Sequence, residues 1–91
     1  VNKTGMEQSF FYILYSTLID KYYLGSTSNL KERIIRHNQK SKGFTSRTKD
    51  WKLVYYEVFS TKIEAYARER KVKKWKNRTR VEQLIAQKTQ L

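Results

Sequence analysis

Apolar and polar positions follow two rhythms along this chain. Ser9 to Ser16 (SFFYILYS) is an almost unbroken run of aromatic and aliphatic residues, which predicts a strand covered on both faces. Lys21 to Gly25 (KYYLG) predicts a second strand, joined to the first by the short connection Thr17 to Asp20 as a hairpin. Gly25 ends that strand at a point where a side chain is unwelcome, as where another backbone or a ligand comes close. Trp51 to Phe59 (WKLVYYEVF) predicts a third strand.

Between and after these runs the spacing turns helical. Ser26, Thr27 and Ser28 offer N-caps for a helix over Asn29 to Gln39, with Leu30 and Ile34 one turn apart on its inner face. Lys40 to Asp50 is a basic, polar loop centred on Gly43. Thr61 and Glu64 form a capping box, so a second helix starts there and runs to Lys76. Thr79 and Glu82 repeat the pattern ahead of Val81, Leu84 and Ile85 and open a short third helix. The order is β-β-α-β-α-α. It predicts an α+β fold, a three-stranded, mainly antiparallel sheet flanked by helices. Residues 1–8 read as a leader, with Met6 a candidate start, and residues 9–88 as one domain.

Composition narrows the partners. The 91 residues fit a single core, and 38% hydrophobic content is too much for a disordered tail. Without cysteine there is neither a disulfide framework nor a Cys-based zinc site, and with His37 the one histidine a multi-His site is excluded too. Any metal is therefore a hard cation held by oxygen. A net charge of +12 favours a polyanion, since each phosphate contact releases counterions. No stretch approaches the roughly 20 apolar residues of a membrane span, and no signal-peptide pattern opens the chain. The expectation is a cytoplasmic protein whose partner is nucleic acid, most simply DNA, and not a membrane.

Candidate chemistry gathers on the helices and the hairpin. Arg33 and His37 are four residues apart and share a helix face, and arginine grips phosphate bidentately. As a pair they are equally ordinary on a basic surface. Glu69 lies four residues after Ala65 and three before Val72, on a face that calls for core residues. A carboxylate there is either paired, for instance with Arg33, or bound to Mg²⁺, which favours one or two carboxylates plus water and phosphate. Tyr12 and Tyr23 sit in paired strands, where two phenols can share a face or simply belong to the core. Lys73, Lys74 and Lys76 crowd around Trp75, and Lys42, Arg47 and Lys49 line the long loop. Both groups suit backbone contact, the first with base stacking as well.

Taken together these residues resemble the GIY-YIG nucleases, in their small single-domain, excinuclease C N-terminal-like branch. Tyr23-Leu24-Gly25 stands for the YIG element, and Ser26 to Arg33 follows like the family's x-T-x-N-L-x-x-R. His37 and Asn38 continue it, and Phe10-Phe11-Tyr12 is a degenerate GIY that keeps its tyrosine. Glu64, Ala65 and Glu69, with Val72 to Trp75 behind them, look like the glutamate helix. The match covers Phe10 to Ile85. It implies an Mg²⁺- or Mn²⁺-dependent endonuclease, with a role in DNA repair or recombination. Glu69 would be its single protein metal ligand, and Arg33 would sit on the scissile phosphate. Tyr23 or Tyr12 would be the general base and His37 would orient a tyrosine. A tyrosine of ordinary pKa, about 10, needs help for a base role. The family's asparagine after the glutamate is missing. Val81 stands in that region, and Asn77 is the nearest substitute. The alternative is a basic nucleic-acid-binding module without catalysis.

Overall fold

The computed structural model describes residues 8–39 and 43–89. The expected leader therefore lies outside the described residues, apart from exposed Gln8, and so does Lys42. Three strands, β1 (Ser9–Ser16), β2 (Lys21–Thr27) and β3 (Lys52–Phe59), form one antiparallel sheet in the order β2-β1-β3. Helix α1 (Leu30–His37) leads through a 3-10 turn (Gly43–Arg47) to β3, and α2 (Lys62–Lys73) and α3 (Arg78–Thr89) follow. The order β-β-α-β-α-α and the α+β class stand as expected.

The central strand explains its own sequence. Phe11, Tyr12, Ile13 and Leu14 are wholly buried because β1 is covered on both faces. Phe11 and Ile13 meet Tyr55, Val72, Val81 and Leu84 on the α2 and α3 side. Tyr12 and Leu14 meet Trp51, with Leu30 and Ile34 of α1, on the other. The register of β1 with β3 shifts at Ile13/Leu14, where Ile13 faces Tyr55 and Leu14 faces Leu53. Arg68 clamps α2 to β3 through a two-pronged contact with Glu57, at 2.9 and 3.1 Å.

Helix boundaries depart from the expected ones for local reasons. Strand β2 runs on to Thr27, so Ser26 and Thr27 are in the sheet and the cap of α1 is Asn29, which accepts from the Glu32 N–H at 3.1 Å. Thr61 caps α2 as expected, accepting from the Glu64 N–H at 3.2 Å. That helix stops at Lys73, short of Lys76, because Lys76 turns to a left-handed φ of 47°. Thr79 caps nothing. The α3 cap is Asn77, which accepts from the Arg80 N–H at 3.1 Å, while Glu82 pairs with Arg78. The loop before β3 is ordered by Asn38, whose amide both accepts from the Trp51 N–H and donates to the Trp51 carbonyl. Among the described residues no helix is long and apolar enough to cross a membrane.

Candidate active site

Two sets of side chains meet at the edge strand β2. The first lies on the α1 face. Tyr12 pairs with Gly25 across the ladder, and its ring lies over the glycine: a Cβ there would fall 2.6 Å from the phenol oxygen. The bare position in the second strand thus makes room for a tyrosine of this chain, not for a ligand. The Tyr12 hydroxyl lies 3.0 Å from His37 Nε2, and His37 Nδ1 lies 3.1 Å from Thr45 Oγ1. Tyr23 closes the group, its ring 4.8 Å from His37 and 6.3 Å from Tyr12.

Electrostatics assigns the protons in this chain of contacts. Burial holds the Tyr12 phenol well above the ordinary tyrosine value. Tyr23 adds to the shift, the Arg33 charge and hydrogen bond oppose it, and Glu69 adds slightly. Burial lowers His37, and Arg33 and Arg36 lower it further. At neutral pH Tyr12 therefore keeps its proton and His37 is neutral. Tyr12 donates to Nε2, and Nδ1–H donates to Thr45. The arrangement fixes Tyr12 between an arginine that donates to it and an imidazole that accepts from it.

The second set lies on the α2 face. Glu69 is the only buried carboxylate among the described residues, and Ser26 Oγ donates to its Oε1 at 2.7 Å. Its Oε2 is 2.7 Å from Lys73 Nζ. Of the two expected partners, then, Arg33 is not the one that pairs with it. Lys62, Tyr66, Glu69 and Lys73 follow one another at spacings of four, three and four, a stripe along α2. Arg33 reaches this set from α1. It lines a pocket of about 220 Å³ together with Ser26, Lys62, Ala65 and Tyr66.

The set suits a hard divalent ion. Among the described residues no three His, Cys, Asp or Glu cluster, so a site here offers one carboxylate and leaves the other positions to water and phosphate, as Mg²⁺ tolerates. Glu69 already takes a cation on its outer oxygen, the half-exposed ammonium of Lys73. A long, solvated side chain holds that place loosely. A model of the GIY-YIG catalytic domain matches residues 8–83.

The chain belongs to the GIY-YIG family. Nuclease action on a nucleic-acid substrate, generally with a divalent metal ion, follows at that level. A UPF0213 protein of Bacillus pumilus (strain SAFR-032) is 34% identical over 67 residues, which cover 72% of this chain and 67% of that protein. No solved structure matches the chain significantly.

Of the residues singled out from the sequence, Tyr12, Tyr23 and His37 group on the α1 face, Glu69 lies on the α2 face, and Arg33 contacts Tyr12 and lines the pocket that Ser26 shares. Lys73 joins them as the partner of Glu69, and Lys76 lines the next pocket along β2. Lys74 caps the end of α2 and is exposed. Arg47 and Lys49 sit on the loop that carries Thr45, away from Glu69 on the α1 face. Ser26, Thr45, Lys62 and Tyr66 were missed. For Lys62 and Tyr66 a signal existed, their helical spacing from Glu69. For Ser26 and Thr45 there was none, because their partners lie 43 and 8 residues away across loops.

Proposed function

We propose that this chain is an Mg²⁺-dependent endonuclease, Mn²⁺ substituting, that hydrolyses phosphodiester bonds in DNA, in the cytoplasm, in repair or recombination. One observation carries it: a buried glutamate on α2 is hydrogen-bonded to Ser26, which lines a pocket of about 220 Å³ together with Arg33, and the Tyr12–His37 hydrogen bond and the Tyr23 ring stand at the same edge strand. Glu69 would hold the ion, with Ser26 fixing its inner oxygen. When bound, the ion neutralises charge that develops on the phosphate and leaving oxygens.

The chain's own side chains supply the rest. Arg33 and Lys62 converge on the 220 Å³ pocket and bind the scissile phosphate there. Tyr12 has no exposed surface and has given its proton to a hydrogen bond with His37, so it positions Arg33 rather than meeting water. Tyr23 is only partly buried and lies against both rings, so it is the phenol that meets the attacking water; it takes the water's proton as it gives up its own to solvent.

The test is cleavage of single-stranded, duplex and branched DNA with Mg²⁺, Mn²⁺ or EDTA, with Glu69→Ala beside the parent. Metal-dependent cutting should vanish in Glu69→Ala while DNA binding holds or rises, because a negative charge is gone. Equal cutting by that variant would sink the assignment. A non-catalytic basic binding module is the second reading. The Lys73–Glu69 ion pair favours it, since it neutralises the carboxylate without a metal. Salt-sensitive binding with no cutting under any metal would select it.

A further inference from the structure

We propose that the pocket between β2 and the α2–α3 turn, next to Glu69, binds an unpaired nucleotide of the substrate strand. The proposal rests on the nuclease reading for the identity of the polymer alone. The pocket encloses about 510 Å³, within the usual range of ligand sites. That volume takes one nucleotide, not a duplex. Leu24, Val72 and Val81 give it an apolar lining. Tyr22 forms a fixed wall, its ring 4.8 Å from Tyr15 and 5.0 Å from the Arg78 guanidinium. Lys21, Lys73 and Lys76 supply cations around this lining.

Three features favour a nucleotide over another apolar ligand. Lys21 and Lys76 have no ion-pair partner among the described residues, so they remain available for phosphate. Arg78 is not counted with them, because Asp20 and Glu82 already neutralise it. Strand β2 is a sheet edge, paired with β1 alone, and its residues Lys21 to Leu24 line the pocket, so backbone groups that the ladder leaves unpaired there can read the polar rim of a base. A paired base has used that rim and both its faces, and only an unpaired one can bring them here.

Placement adds the third feature. Ala65 lines the Arg33 pocket and Val72 lines this one, seven residues further along α2, roughly 10 Å of helix. Glu69 lies between them, and its partner Lys73 lines the second pocket. A strand with its phosphate at Arg33 passes Glu69 and reaches the second pocket within a few nucleotides. Lys76 holds a left-handed φ of 47°, which a lysine adopts at a cost, and so delivers its side chain to this pocket.

The experiment uses the whole chain in EDTA, so that nothing is cut. Fluorescence anisotropy compares a duplex with the same duplex carrying one unpaired central 5-iododeoxyuridine. Irradiation and mass spectrometry then locate the crosslink. The unpaired nucleotide should tighten binding about tenfold and crosslink within residues 21–24 or 72–81. Leu24→Trp, which fills the pocket, should erase the preference and leave duplex binding within about twofold. If that variant fails to fold, the crosslink position decides. Equal affinities, or a crosslink on α1 or the loop before β3, would overturn the proposal. Cutting of paired duplex with Mn²⁺ is scored separately. Its absence beside a retained preference would reject catalysis and leave the pocket intact.

Discussion

Replacing Gly25 with alanine tests how the site is assembled. The backbone at Gly25 does not lie in the left-handed region, so glycine is not there for its conformation. It is there for space. A Cβ at this position would sit 2.6 Å from the Tyr12 oxygen, 2.8 Å from Cζ and 3.1 Å from Cε1. Tyr12 cannot yield easily, since it is wholly buried and its hydroxyl is held by His37. Overpacking of this kind costs about 1–3 kcal/mol. Pulling the phenol away from His37 leaves a buried polar group unpaired, for about 1–3 kcal/mol more. Alanine returns about 0.5–1 kcal/mol through the backbone entropy that glycine loses on folding. The net is a loss of about 1–5.5 kcal/mol, centred on ~3. For a domain of this size that lowers Tm by roughly 12–25 °C. Thermal melting by circular dichroism reads it directly. Adding Tyr12→Phe removes the oxygen that clashes, so the two changes should couple by at least ~0.5 kcal/mol in a double-mutant cycle. An unchanged or raised Tm for Gly25→Ala, or strict additivity, would refute the packing account.

Other expectations follow from the same contacts. Tyr23→Phe should lower kcat by about 10²–10⁴ with KM near the parent's, and Tyr12→Phe by less; the reverse order in steady-state cleavage would exchange their roles. His37 titrates below its unfolded value, so the unfolded chain binds the extra proton. Its stabilisation is complete above the ordinary histidine pKa of about 6.5 and is lost as pH falls through the lowered folded value. Urea unfolding between pH 8 and pH 5 should show that loss, and His37→Gln should flatten it. Asn77→Ala should cost about 1 kcal/mol as a lost helix cap, while Thr79→Ala should cost less than half as much, both read as urea midpoints.

Much of the architecture was legible because it is local. The unbroken apolar run of β1 announces a strand covered on both faces, and Thr61 with Glu64 announces the start of α2. What was not legible depends on contacts between distant residues. Thr79 and Glu82 have the spacing of a capping box, yet Lys76 turns left-handed and hands the cap to Asn77, and no propensity signals a lysine at positive φ. Glu69 stood out as a carboxylate on a core face, but spacing within α2 could not tell whether Arg33, Lys73 or a metal would answer it. Ser26 read as a helix cap, and it became a partner of Glu69 only because β2 runs two residues beyond Gly25.

That extension of β2 also explains how two faces of one sheet can serve one reaction. Side chains alternate along a strand, so Tyr23 and Gly25 face α1 while Ser26 faces α2. Tyr12 and His37 are thereby separated from Ser26 and Glu69 by the thickness of the sheet. In the middle of a sheet that separation could not be bridged. At an edge strand it can, because nothing pairs with the outer side of β2 and Arg33 reaches around it to the pocket lined by Ala65 and Tyr66. An exposed edge ordinarily invites pairing with another chain, and here lysines and a carboxylate on α2 stand over it instead. In the proposed reaction, the same open edge that would be a liability in a neutral sheet would let a phosphate reach Arg33 and Glu69 together.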